Sequence, residues 1–530
     1  MAICENQNCS LPVFKDSAQC ALHHKKNNYN SDFSSGLLQE FHSSLIDYIS
    51  LQSKERDPSK DVSEFIIDLR EKSANTNGVD DKYTNIAFIN IKFPDRDDRD
   101  HFDYARVLNS LSSMHFMKST FGTTILPISH SKCFFQDCQF EKNWNLMDLH
   151  VLGNVESSLF LDCVFFGEVD AHPDIIGKET IEAKMFSRCQ FMGDINLFGV
   201  HFKEELDFNA HGNEGSHRIN FLTDQCEFDK PLLISGRCFD ELSFLHSKFS
   251  GAVQITDCGC NFLKIAWTTL YESFEITDSQ IEGMEIFISE FKRIAAFNKV
   301  EFGFNSKFNS GPRTPHAREI AEYSSSHAPV IIHSTYFESF SSFTKCAFLF
   351  GLDIGTSMFK EQPNFFGSNV AFDNTPRETL RLIKHSFDSV GNKVDANLYF
   401  SLEMRRYRRD LSDTHAVRAR SQDRLILLIN EYVSDFGQSY LRPLLWLAFF
   451  SFTYFLLKIG HEHNLLYEIL PSANPLLSKT ANFLNGIAGS LLPFKRILEP
   501  GMEFVGLLFV AIYSALTWQF LVAVKRHTRR

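Results

Sequence analysis

Near its start the chain places three thiols and an imidazole in the order Cys4-x4-Cys9-x10-Cys20-x2-His23, with His24 as a second imidazole. Three thiolates and one imidazole nitrogen suit a tetrahedral zinc ion. Four protein donors fill that shell and leave no position for a reacting water, so the chemistry expected is structural. The ion would hold a short knuckle, residues 1–30, that has no core of its own. His24 is the alternative to His23 as fourth ligand. Other reactive groupings are sparse. The sequence contains no Gly-x-Ser-x-Gly, no Gly-x4-Gly-Lys-Ser/Thr and no His-Glu-x2-His. Ser342-Phe343-Thr344-Lys345 matches Ser-x2-Lys by chance, because Phe343 fits a structural repeat. Cys258-x-Cys260 reads as core packing, and His461-Glu462-His463 as a hydrated cluster. No catalytic residue and no enzyme activity are expected.

The dominant pattern is a period. From Phe228, steps of 6, 5, 5 and 5 land on Phe228, Ile234, Phe239, Phe244, then Phe249, Ile255, Cys260, Ile265, then Leu270, Ile276, Ile281, Ile286, then Phe291, Phe297 and Phe302. Every landing is apolar, and a compact residue (Cys226, Ser247, Thr268, Ser289) precedes each repeat start by two. A five-residue beat belongs neither to a 3.6-residue helix nor to a two-residue strand; it belongs to a stacked repeat. The sequence resembles the pentapeptide-repeat family, whose members form a right-handed quadrilateral parallel β-helix with Phe or Leu ladders inside. That resemblance implies a mainly β fold. A bulge at one corner would absorb the extra residue per turn.

The composition agrees: 44% of residues are apolar and 54 are Phe. Net charge is −12, unevenly spread. Residues 376–530 hold 20 Lys/Arg against 13 Asp/Glu (+7), leaving 33 against 52 (−19) for 1–375. An acidic front half argues against direct nucleic-acid binding, though it is compatible with mimicking nucleic acid. Nine of the twelve Cys lie at 133–346, most in or near the compact slots, which suits core packing in a reducing compartment.

Along the chain, Met1–Ser10 shows no secretion signal. A helical or mixed N-terminal cap is expected over 31–129, with Leu37, Leu38, Phe41, Leu45 and Ile49 on one helix face and Ile86, Phe88, Ile91 and Phe93 strand-like. The Asp-rich run 95–100 reads as a solvated turn. The β-helix is assigned to 130–373: Phe135/Phe140, Phe160/Phe165 and Phe186/Phe191 keep the beat, with Cys138, Cys163 and Cys189 in the compact slot. Loops bulge at 209–218 and 309–328; Phe343/Phe348 resumes with Cys346 compact, and Phe372 is the last rung.

Asn374-Thr375-Pro376 starts an α-helical hairpin and juxtamembrane linker (374–436), with helices over 377–390 and 393–411 expected to cap the β-helix. Arg405-Arg406-Tyr407-Arg408-Arg409 is either a lipid contact or a solvated face. Residues 437–530 read as a two-span membrane domain: Pro443–Ile459 and Phe504–Val524, about 25 and 31 Å long, with a re-entrant or interfacial segment over Thr480–Phe494. Basic residues at 405–442 and at the tail put the N- and C-termini in the cytosol of a prokaryotic cell, at its inner membrane. Short zinc knuckles of this kind resemble those at the start of prokaryotic membrane and repeat proteins.

The expectation is a zinc-stapled, membrane-held, homo-oligomeric repeat protein that binds a protein partner. Its hairpin would act as a channel-like or membrane-perturbing effector, with stress or phage defence as an analogy. A static membrane-tethered scaffold and an acidic DNA-mimic inhibitor are the alternatives.

Overall fold

A computed structural model describes residues 3–6, 9–53, 64, 67, 86–95, 104–111, 113–122, 132–148, 158–173, 179–210, 217–303, 330–413, 421–462, 475–490 and 500–528. The run at 96–100, most of the loop at 209–218, the insertion at 309–328, His463 and residues 491–494 of the proposed re-entrant segment lie outside them. The chain divides into two compact units, Met1–Thr375 and Pro376–Arg530.

The first unit is built mainly from parallel sheets. Among the described residues every ladder between named strands is parallel, in sheets of 5, 12, 8, 5 and 6 strands. Pairing follows the repeat: Phe228 aligns with Phe249, Phe249 with Leu270 and Leu270 with Phe291. Ile234, Ile255, Ile276, Phe297 and Phe343 align in the same way. All fifteen positions picked out by the beat are buried. The extra residue of the six-residue step sits in three-residue turns, such as 229–231 and 250–252, outside the strands. The register shift in the ladder of Arg218–Asp224 with Cys238–Leu245 lies elsewhere, between Ile219 and Asn220. The expected corner bulge is therefore a longer turn.

The stack starts earlier than its pattern is legible. Ile86–Ile89 pairs with Ser113–Met117, which pairs with Lys132–Gln136. Phe88, Phe116, Phe135, Phe160 and Phe186 then stack ring on ring at 5.0, 4.9, 5.0 and 5.5 Å. A second file, Phe93, Phe121, Phe140, Phe165 and Phe191, runs beside it at 4.8, 5.1, 4.7 and 5.2 Å. Edge-on contacts join the files, including Phe116–Phe121 at 5.4 Å, and both geometries suit the aromatic quadrupole. At the far end Val370 pairs with Phe348, taking the place expected for Phe372.

The compact slot has a second role besides fitting a corner. Ser247 Oγ donates to Leu245 O (2.6 Å) and accepts from the Cys226 N–H one repeat earlier (3.2 Å). Ser289 Oγ likewise donates to Phe287 O (3.0 Å) and accepts from Thr268 N–H (3.3 Å). Each hydroxyl thus takes up the N–H of the compact residue one repeat earlier and adds a second donor to a carbonyl that already accepts from a backbone N–H of that repeat. The preceding residue is left-handed at turn after turn: Gln225, His246, Trp267 and Ile288 have φ of 54, 44, 50 and 44°.

The near edge is closed by a helix. Leu37–Ser53 buries Leu37, Leu38, Phe41, Leu45 and Ile49. Its Gln52 amide donates to Ala87 O (2.7 Å) and accepts from Ala87 N–H (3.1 Å), while Tyr48 Oη donates to the same carbonyl (2.9 Å). These side chains stand in for a neighbouring strand, which keeps the edge from templating another chain.

The second unit is helical. Arg377–Ser389 and Lys393–Asp413 form the expected hairpin, turning at Gly391 (φ 79°). Buried Glu403 is neutralised by Arg381 (3.0 Å), Lys384 (3.5 Å) and Arg377 (3.8 Å). Ser421–Ser434, Leu441–Glu462, Pro475–Ser490 and Glu503–Thr528 follow. Leu441–Glu462 and Glu503–Arg526 are long and apolar enough to cross a membrane. Within the basic cluster, Arg405 pairs with Asp435 (2.6 Å), Arg406 with Asp410 (3.2 Å) and Arg408 with Glu431 (2.9 Å), so these arginines make ion pairs within the helical unit.

Left-handed backbone at a β-branched residue is costly, and Ile288 is half-exposed. Ile288→Gly is expected to stabilise the chain by about 0.5–1 kcal/mol, relief of ~1–2 kcal/mol offset by glycine's entropy. Phe135→Ala, in the middle of a ring file, should cost ~3–5 kcal/mol. Thermal unfolding of both variants, followed by the β-sheet dichroism signal, checks the two opposite shifts.

Candidate metal centre

Backbone bonds fold residues 3–6 and 9–24 into a small knuckle. Cys4 N–H donates to Leu11 O (3.1 Å), Glu5 N–H to Ala18 O (3.1 Å) and Phe14 N–H to Gln19 O (2.9 Å). His23 and His24 N–H both donate to Cys20 O (3.1 and 2.9 Å), a turn that brings the His23 ring beside Cys20. The ligand atoms of Cys4, Cys9, Cys20 and His23 all lie within 4.8 Å of one another, close enough to bind one metal ion. His23 Nδ1 is 3.4 Å from Cys4 Sγ and 3.2 Å from Cys20 Sγ, and the Cys9 and Cys20 sulfurs are 3.7 Å apart. Bond lengths of ~2.3 Å to sulfur and ~2.0 Å to nitrogen imply tetrahedral edges of about 3.8 Å (S···S) and 3.5 Å (S···N). The observed spacings fall close to both. His24 stands apart, with Nδ1 at 2.7 Å from Lys25 O and its ring edge-on to Phe14. Of the two histidines, His23 joins the thiols.

The electrostatics favour a bound cation. Burial raises Cys9 and pushes Cys20 up to about 12. Burial opposes ionisation of Cys4 as well, yet hydrogen bonds with the backbone of Cys20 and Asn6 outweigh it and leave that thiol below its ordinary value. Burial lowers His23, which keeps the imidazole neutral and its lone pair free. Three sulfurs packed this closely ionise together only when a positive charge sits among them.

The knuckle is fastened to the sheet stack. The His23 imidazole also hydrogen-bonds the backbone of Ile89, and Lys92 N–H donates to Leu22 O (2.9 Å). A metal-ligating histidine whose second nitrogen is held this way has its tautomer and ring orientation fixed. The sequence carried no signal for Ile89 or Lys92, because both act through backbone atoms.

Among the described residues neither Cys258-x-Cys260 nor His461 belongs to a cluster that could hold a metal ion. Cys258 and Cys260 are buried and their sulfurs donate to different carbonyls, Thr256 O (3.3 Å) and Phe262 O (3.1 Å). Burial pushes Cys258 up to about 11. His461 Nε2 lies 3.3 Å from Pro500 O. Comparison of the chain with protein-family models, with curated proteins and with solved structures finds no match.

The full-length chain should carry one ion per molecule, and Cys20→Ser should carry none, measured as metal content after gel filtration. Protons compete with the ion for the thiols, so acidification releases it and raising the pH strengthens binding. The release midpoint must lie below the value at which the metal-free Cys20 thiol ionises, about 12.

Proposed function

We propose that this protein is a non-enzymatic, membrane-held pentapeptide-repeat protein, in which a rigid cytosolic β-helix binds a protein partner and an oligomeric membrane hairpin acts as the effector. In this reading the parallel sheets are the successive faces of a right-handed quadrilateral β-helix. The ion at Cys4, Cys9, Cys20 and His23 is zinc, in a structural role. The 21-residue register, with one large apolar side chain per face and a compact residue before each turn, supports the first point; the set of three sulfur donors and one nitrogen supports the second.

The observation that carries the membrane assignment is the exposure of the two apolar helices. In the most apolar eighteen-residue stretch of each, only 6% and 17% is buried. Leu444, Leu445, Phe449, Phe452 and Phe455 on one helix and Leu508 and Trp518 on the other face outward. A core helix of a water-soluble protein would bury such residues. At 22 residues the first helix is about 33 Å long, enough for a bilayer core. Arg442 begins this helix and Lys525-Arg526 closes the other, which supports a cytosolic position for both flanks and, in a prokaryotic cell, the inner membrane.

Two spans cannot enclose a pore, so the effector requires several copies. A shallow groove of about 370 Å³ runs along the second helix, lined by Val510, Tyr513, Ser514, Thr517, Trp518 and Leu521. Small hydroxyl-bearing positions of this kind let membrane helices approach closely. Charge mimicry of nucleic acid has less support. Along the sheets acidic side chains alternate with lysines, as in Glu227–Lys248 (2.7 Å), Lys292–Glu338 (3.4 Å) and Glu338–Lys360 (3.7 Å), which breaks up a single-sign field.

Induced expression in cells loaded with a voltage-sensitive dye should collapse the membrane potential, and Ser514→Phe/Thr517→Phe should restore it while the chain stays in the membrane fraction. An unchanged potential with the intact chain present would replace the effector with a static tether.

A further inference from the structure

The helix Ser421–Ser434 has two unlike sides. One packs against the rest of the helical unit: Leu427 is buried with Leu411 and Phe436, and Glu431 pairs with Arg408 (2.9 Å). The other carries Leu425, Leu428, Ile429 and Tyr432 with Ile426 beside them. All five are exposed, Leu425 at 59% and Tyr432 at 65%. Their i, i+3, i+4, i+7 spacing makes one continuous stripe. Water gives no reason for such a stripe.

The position of the helix says what covers it. Gln519, inside the second apolar helix, accepts from Ser434 Oγ (3.0 Å) and donates to Asn430 Oδ1 (2.6 Å). The only strongly polar side chain in the middle of that helix's C-terminal half is thus satisfied by the 421–434 helix. Gln519 precedes Arg526 by seven residues, about 10 Å along the axis. With Lys525 at the headgroups, and Arg526 beside it held on Phe436 O and over the Phe400 ring, Asn430 and Ser434 at the Gln519 level lie about 10 Å deeper, at the boundary between headgroups and acyl chains. Arg442, near the start of the other apolar helix, donates to Glu431 O (3.4 Å), so both apolar helices meet the 421–434 helix at its C-terminal end.

We infer that the 421–434 helix lies in the plane of the cytosolic leaflet, with Leu425, Ile426, Leu428, Ile429 and Tyr432 buried among lipid acyl chains. The inference rests on the membrane reading given above and extends it: the chain then has a third membrane-embedded element, parallel to the surface and bolted to the second span through Asn430, Gln519 and Ser434. The occupant of the stripe is lipid. A second copy of the chain is the competing occupant.

Nitroxide labelling of Leu425→Cys, Ile429→Cys, Asp423→Cys and Phe452→Cys in the full-length chain, reconstituted in phosphatidylethanolamine–phosphatidylglycerol vesicles, tests this. Collisions with oxygen, which concentrates in acyl chains, are compared with those of a water-soluble nickel chelate. At positions 425 and 429 the oxygen-to-nickel ratio should exceed that at 423, an exposed acidic position in the first turn on the Leu427 side of the helix, by at least about threefold, as burial ~5–10 Å into the leaflet requires. A ratio equal to that at 423 overturns the inference in favour of water. Suppression of both collisions overturns it in favour of a second copy. Position 452 separates the two claims: lipid-like behaviour there with failure at 425 and 429 removes only the in-plane helix, whereas nickel-dominated behaviour at 452 removes the membrane reading and this inference together.

Discussion

The structure of the first unit depends on one constraint: each strand must place a large apolar side chain directly on the equivalent side chain one repeat away. Strands in a sheet are spaced about 4.8 Å apart, and aromatic rings stacked at 4.6 to 5.5 Å, as in Phe228–Phe249 and Phe160–Phe186, match that spacing. Ring stacking and backbone pairing therefore reinforce each other at every step. A slip of one residue would turn each file outward. Such a stack gains its stability from neighbours alone, so its ends need separate treatment. At the near end Gln52 and Tyr48 occupy the backbone groups of Ala87, and the knuckle is fastened through Leu22 and His23.

The files were legible in the sequence because burial at a fixed spacing is a one-dimensional signal. Phe228 to Phe302 could be counted off residue by residue. The earlier repeats were harder: intervening segments of unequal length break the count between Phe88 and Phe186, although their rings stack as regularly. The turns themselves were hidden. Left-handed backbone is normally announced by glycine, but here Lys118, Asp137, Trp267 and Ile288 adopt it. The conformation is imposed by hydrogen bonds to the adjacent repeats, as when Trp267 N–H donates to Phe287 O. Residue type then says little about φ.

The compact slot shows the same division. Its size was readable, while its hydrogen bonds to the chain on either side were not. At the metal centre the donor set was readable from Cys4, Cys9, Cys20 and His23, and three-dimensional placement was needed to separate His23 from His24. In the helical unit the cluster at 405–409 read as either a lipid contact or a solvated face, whereas Asp435, Glu431 and Asp410, the first two distant in sequence, engage Arg405, Arg408 and Arg406. Long-range ion pairs leave no periodic trace.

Register is the property from which the stack, its ring files and its turn bonds all follow. Gln254 and Glu275 are partners across one repeat, and strand spacing puts their Cα atoms about 4.8 Å apart, within disulfide reach. Thr277, two residues further along, lies about 8 Å from Gln254 and out of reach. Mild oxidation followed by peptide mass spectrometry should find a disulfide in Gln254→Cys/Glu275→Cys and none in Gln254→Cys/Thr277→Cys. Equal yields, or a bond only in the second pair, would contradict the in-register stack.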